Sequence, residues 1–232
     1  MPAPVVLQSA TAGLKTIELA WTPSAMPGFA TNLVYRSTDA TVDLGDTLIG
    51  AFTDPNVTNL TDAGRSIGAT YWYRVYTVNT NGTYTPSNDR SATTVPIAYP
   101  FTDGMETAAN WDATGSWGVS SNSPHGGGAC LTDSPAGDYS NSSDTYILTA
   151  VSLVGSTWPV LRFWDKCSIA TPDWGWVEVS SDGSGWTRVY GINGVVGGWT
   201  ERRIDLSPWR QQPNLRIRFR MWTDGGGTAD GW

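Results

Sequence analysis

The octet Leu215–Trp222, LRIRFRMW, alternates without exception: Leu215, Ile217, Phe219 and Met221 share one side, and Arg216, Arg218, Arg220 and Trp222 the other. Only an extended strand sends every second side chain to the same face; a helix, turning by roughly 100° per residue, would mix the two sets around its circumference. The stretch 161–186 repeats the pattern. Leu161 and Phe163 oppose Arg162, Trp164 and Lys166, then Val177 and Val179 oppose Trp176, Glu178 and Ser180. No helical periodicity occurs anywhere in the 232 residues. The fold class expected is therefore all-β, built as two sandwiches with a core each, since the length suffices for two ordinary domains.

The wet faces of these strands carry tryptophan, and the chain has 13 Trp but only two lysines, Lys15 and Lys166. Only 15% of residues are charged and the net charge is -7. That balance excludes the basic footprint needed for nucleic acid and argues against anionic membrane surfaces. No apolar run approaches the roughly 20 residues needed to cross a bilayer, so membrane insertion is not expected. The profile is that of an extracellular or cell-surface protein rich in turns.

Cys130 and Cys167 belong to no CxxC pair, which argues against a thiolate metal site. They can be read as two buried free thiols or as one disulfide. The secreted type of composition favours the disulfide, which would contribute up to about 4 kcal/mol on the chain-entropy model.

In the first part, strand candidates at 17–21, 32–37, 47–52, 71–79 and 87–95 are separated by Pro27-Gly28, Asp54-Pro55, Ala63-Gly64 and Asn81-Gly82. Trp21 ends one strand, Tyr35-Arg36 lies in the next, and TNLTDAG precedes YWYRVYTVN. With these residues the segment 1–97 resembles a fibronectin type III domain. The resemblance implies a sandwich with Trp21 as its core tryptophan, Tyr71 at the tyrosine corner, and a spacer role. The joint at 94–100 holds two prolines and reads as semi-rigid.

The remainder, 98–232, contains FTDGMETAANW, ACLTDSP, LRFW, VEVSSDG, WTERRIDLSPW, LRIRF and a closing ADGW. In that order these segments resemble the jelly-roll domain attached to secreted metallopeptidases of the immune inhibitor A type, related to MAM domains. The resemblance implies a jelly roll, with calcium bound where first strand, long loop and last strand meet. Carried over by position, the calcium ligands would be Asp103, Glu106, Asp138, Asp144 and Asp230. Members of that group end in one more strand than is present after Asp230-Gly231, so the expectation is that the chain was cut there or that another molecule supplies the strand. An open edge of that kind would permit self-assembly. The hairpin 180–186, SSDGSGW, looks like a structural turn capped by Asp182 with Trp186 packed beneath it.

Catalysis finds little to work with. There is no HExxH or G-x-S-x-G, and His125 is the only histidine. Any catalytic domain is expected outside this chain. The planar groups on the strand faces point instead to binding, with Trp164, Trp176, Glu178, Arg218 and Trp222 as the candidate contacts to a glycan or an extracellular protein surface. Three readings compete: a non-catalytic adhesion or binding module, a subunit of an assembly completed by strand donation, and an accessory region of a secreted peptidase.

Overall fold

The computed structural model describes residues 4–232, and among these the secondary structure is strand apart from one 3-10 turn. Two compact units divide between Val95 and Pro96, two residues before the boundary expected at 97.

The first unit packs two sheets. One orders β1 (Leu7–Ala12), β2 (Thr16–Trp21) and β5 (Asn59–Ala63). The other orders β4 (Thr47–Phe52), β3 (Phe29–Ser37), β6 (Thr70–Asn79) and β7 (Tyr84–Pro86), with β8 (Arg90–Thr93) also paired to β6. The inner faces meet on Leu7, Ile17, Leu19, Trp21, Val34 and Tyr73, all at most 2% exposed. Trp21 packs against Phe52 with ring centroids 5.8 Å apart. The Tyr71 hydroxyl accepts the Ser66 N–H at 3.2 Å. That backward bond defines a tyrosine corner. The Tyr73 hydroxyl donates to the buried Asp62 at 2.8 Å. Burial beside that carboxylate pushes the Tyr73 pKa far above the ordinary phenol value. This is the sandwich that the fibronectin resemblance implies.

In the second unit the larger sheet orders β10 (Asp112–Ala113), β13 (Asp144–Ser152), β18 (Leu215–Trp222), β15 (Trp174–Ser180) and β16 (Thr187–Ile192). A short β9 (Ile97–Ala98) lies parallel to the end of β13, which places Ile97 in this unit. The smaller elements are the pair β14 (Val160–Ile169) with β17 (Gly194–Asp205), and the hairpin β11 (Gly118–Ser120) with β12 (Cys130–Thr132). The 3-10 turn Ser207–Trp209 joins β17 towards β18. One core gathers Trp111, Trp117, Ile147, Val177, Leu215, Phe219 and Met221. The alternation of 215–222 is realised residue by residue, with the aliphatic row buried and the Arg/Trp row half-buried on the other face.

Candidate functional site

The outer face of the larger sheet is where the planar groups collect. Register puts Trp174 opposite Trp222, Trp176 opposite Arg220 and Glu178 opposite Arg218. On the far side of β18, Asp144 faces Trp222 and Tyr146 faces Arg220. The indoles of Trp174, Trp176 and Trp222 lie nearly parallel, at 6.4 Å and 12° for the first pair and 6.0 Å and 29° for the second.

Arginines cover the middle ring of this row. The Arg188 guanidinium sits 3.8 Å over the Trp176 ring, and Arg220 approaches the same ring at 5.3 Å. Such placements over an indole face are attractive, because the ring's negative face meets the cation. Arg218 covers Trp186 at 3.9 Å and Tyr146 at 5.3 Å. Glu178, only 2% exposed, is the hub. Its Oε2 accepts Arg218 Nε at 2.7 Å, and its Oε1 accepts Arg188 Nε and Arg220 Nη1, each at 3.3 Å. Arg220 also grips Asp144 through two bonds of 2.7 Å. This paired, charge-assisted grip holds the Asp144 carboxyl below its usual range.

The turn after β15 closes one end of the face. Asp182 Oδ1 accepts the N–H groups of Ser184 and Gly185 at 2.8 Å. These bonds pull its pKa well below the usual carboxylate range. Gly183 has φ +81°, and a Cβ there would collide with the Arg216 guanidinium. The turn therefore needs glycine.

A second feature is a cleft of about 690 Å³ beside β14. His125 stacks on Trp164 at 4.1 Å and 18°, with Trp199 edge-on to His125 at 5.7 Å and Lys166 over the Trp199 ring at 5.4 Å. Trp117, Phe163 and Phe219 line the same cleft.

Several expectations need correction. Trp164 stands on β14, whose only strand partner in its sheet is β17, whereas Trp176 and Trp222 stand in the larger sheet; a single platform of all three does not form. Glu178 is buried with both oxygens accepting arginine donors, and Arg218 is paired with it through Nε and Nη2. Cys130 and Cys167 are free thiols, not a disulfide. Each instead lies 3.5 Å from a backbone carbonyl, of Ser120 and Gly194 respectively, and burial raises both thiol pKa values.

The carboxylates expected to hold calcium are not brought together at one point among the described residues. Calcium takes six to eight oxygens around one point. Asp103 instead accepts Met105 N, Asn110 Nδ2 and Trp111 Nε1, Glu106 accepts Gly128 N, and Asp144 is held by Arg220. Asp138 and Asp230 are exposed. Among the described residues no three acidic, His or Cys side chains gather to hold a metal.

Sequence reasoning misses Arg188, Tyr146 and Asp144 as parts of the face. The β15–β16 register slips between Val177 and Glu178. An extra residue of this kind breaks simple alternation, so the pattern cannot place Arg188.

No family model matches the chain. Over 148 residues, 59% of this chain, it is 27% identical to Bacillopeptidase F of Bacillus subtilis (strain 168), and it spans about a tenth (10%) of that protein. Solved structures with partial similarity include pectate lyase PelI from Erwinia chrysanthemi in complex with tetragalacturonic acid, 26% identical, covering 39% of this chain and 28% of that one at TM-score 0.32. The fibronectin type III domain of human fibronectin type III domain containing protein 3 is 25% identical, covering 44% and 92% at TM-score 0.31. TmCBM61 in complex with beta-1,4-galactotriose is 12% identical, covering 54% and 88% at TM-score 0.37.

Proposed function

We propose that the chain is a non-catalytic extracellular binding module, with the first unit as spacer and the outer face of the larger sheet in the second as a glycan-binding surface. The observation that carries this reading is the row of near-parallel indoles, Trp174, Trp176 and Trp222, whose middle ring lies under two arginines that share the buried Glu178. Sugar rings stack their C–H faces on indole. Rings that already stack on one another lose less freedom on binding than isolated ones. Trp174, 36% exposed, offers the most open ring, and the exposed Arg188 supplies donors for hydroxyl or carboxylate groups. Glu178 contributes by holding the arginines and makes no ligand contact.

The test is a glycan array on the full chain, followed by calorimetry with the strongest hit. Trp174→Ala should abolish binding, while Trp158→Ala, a change at an exposed loop residue between β13 and β14, should not. Equal binding by both variants and the native chain would reject the surface.

A second reading, an accessory region of a larger peptidase, is favoured by the match to Bacillopeptidase F. It predicts that deleting the region from such a parent lowers cleavage of insoluble substrate but not of a small chromogenic peptide. Equal loss on both would refute it.

A further inference from the structure

The charged groups on the outer face of the larger sheet are not spent evenly. Four of the chain's 14 basic residues stand there, Arg188, Arg216, Arg218 and Arg220, although the net charge of the chain is -7. The carboxylates beside them are committed. Glu178 is buried and accepts from three guanidiniums, and Asp144 gives both oxygens to Arg220. Asp182 Oδ1 takes the Ser180 hydroxyl and two backbone N–H groups. Two of the guanidiniums are not committed. Arg188, whose side chain is 58% exposed, bonds Glu178 only through Nε, which leaves both Nη groups without a protein acceptor among the described residues. The Arg216 guanidinium lies over Gly183 and has no hydrogen bond or ion pair among the described residues. None of its nitrogens is buried, so they face water.

The indoles and Arg188 meet around a glycine. A Cβ on Gly191 would crowd Trp176 Cδ1 at 3.2 Å and Trp174 Cζ3 at 3.5 Å, so its absence lets both rings lean over β16. From the same strand the Arg188 guanidinium reaches the Trp176 ring at 3.8 Å. With Nε held by Glu178, its two Nη groups form a planar fork that matches the two oxygens of a carboxylate. Trp174 is the next ring, 6.4 Å from Trp176. A sugar resting on Trp174 therefore has this fork for a neighbour. Arg216 stands opposite Ser180, one rung beyond Arg188 opposite Glu178, about 7 Å farther along β15.

We infer that the glycan taken by this face is acidic, a chain of uronic acid units whose rings rest on Trp174 and Trp222 and whose carboxylates take the Arg188 fork and then Arg216. The inference rests on the glycan reading above and narrows it from sugars at large to those that carry a carboxylate. A neutral sugar leaves both guanidiniums as they were in water. A cationic one meets Glu178, Asp144 and Asp182 already held by the protein's own donors.

The test uses matched glycans that differ at C6 alone: β-1,4-linked tetraglucuronate against cellotetraose, and α-1,4-linked tetragalacturonate against its full methyl ester. Cellotetraose 6-sulfate is the alternative anion. Calorimetry on the full chain should find the acid bound about tenfold or more tightly than its neutral partner in at least one pair. The advantage should shrink to about twofold when salt rises from about 0.05 M to about 0.5 M, because exposed charges are screened. Arg188→Gln should cut the acid-to-neutral ratio to about threefold or less. Arg203→Gln, at an exposed arginine of β17 in the other sheet, should leave that ratio as it is. Equal affinity within both pairs, tighter binding of the sulfate ester than of the uronate, or a ratio that both variants leave alike would overturn the inference. Neutral glycans bound without any acid preference would do so while leaving the glycan surface standing. Failure of every glycan to bind would overturn both.

Discussion

Replacing Glu178 by Gln tests whether the outer face is held together from one buried carboxylate. The substitution preserves volume but puts an NH2 group where guanidinium donors converge. Breaking a buried, hydrogen-bonded ion pair from one side costs about 3–5 kcal/mol, because the partner charge is stranded. Here the partners are not equally stranded. Arg220 keeps Asp144, and Arg188, whose side chain is 58% exposed, can turn to water. Arg218, whose side chain is 14% exposed, loses its only carboxylate with little access to water. The lower end of the range therefore applies, about 3 kcal/mol. By contrast Arg188→Ala removes an exposed pair and one cation–π contact, together about 1 kcal/mol. Urea unfolding followed by tryptophan fluorescence reads both. With a slope of about 2 kcal/mol/M for a unit of this size, Glu178→Gln lowers the midpoint of the second unit by about 1.5 M. A shift under about 0.3 M, or an equal shift for Arg188→Ala, would refute the hub.

Asp133, 1% exposed, has a pKa pushed up to about 6 by burial, against an accepted bond of 2.6 Å from Trp232 N–H. The folded state thus holds a proton that the unfolded chain releases near pH 4, so stability falls as pH rises from about 4 to 6, by up to about 3 kcal/mol. Asp133→Asn should erase that slope in melting temperature against pH; an unchanged slope would assign it elsewhere. Thiol titration with Ellman's reagent should find two free thiols per chain in denaturant without reductant and slow reaction when folded, and a count of zero would restore the disulfide. Added calcium or chelator should shift the melting temperature by less than about 1 °C, since no ligand set converges among the described residues; a rise of several degrees would contradict the carboxylate geometry.

Fold is legible wherever the pattern has period two and a clear contrast between faces. The stretch 215–222 is the plainest case, and the strand expected at 71–79 runs from Thr70 to Asn79. Strands β1 and β5 escape reading because LQSATA and NLTDA are short, small and polar. They owe their extended form to pairing with β2 rather than to their own propensity. Site geometry is legible only in part. Alternation correctly turns Trp176 and Trp222 outward but cannot tell which strands share a sheet, and so groups Trp164 with them. Nor can it tell a bare carboxylate from a committed one. Asp144 reads as a metal ligand because its partner Arg220, across the strand, is 76 positions away in sequence.

Three indoles held near-parallel about 6 Å apart are also coupled chromophores. Transition dipoles so close mix, and the split absorptions appear in circular dichroism as a couplet of opposite signs whose size grows with the twist between neighbouring dipoles. The row therefore carries its own optical signature, which a guest wedging between the rings or tilting one of them would flatten without any dye being attached.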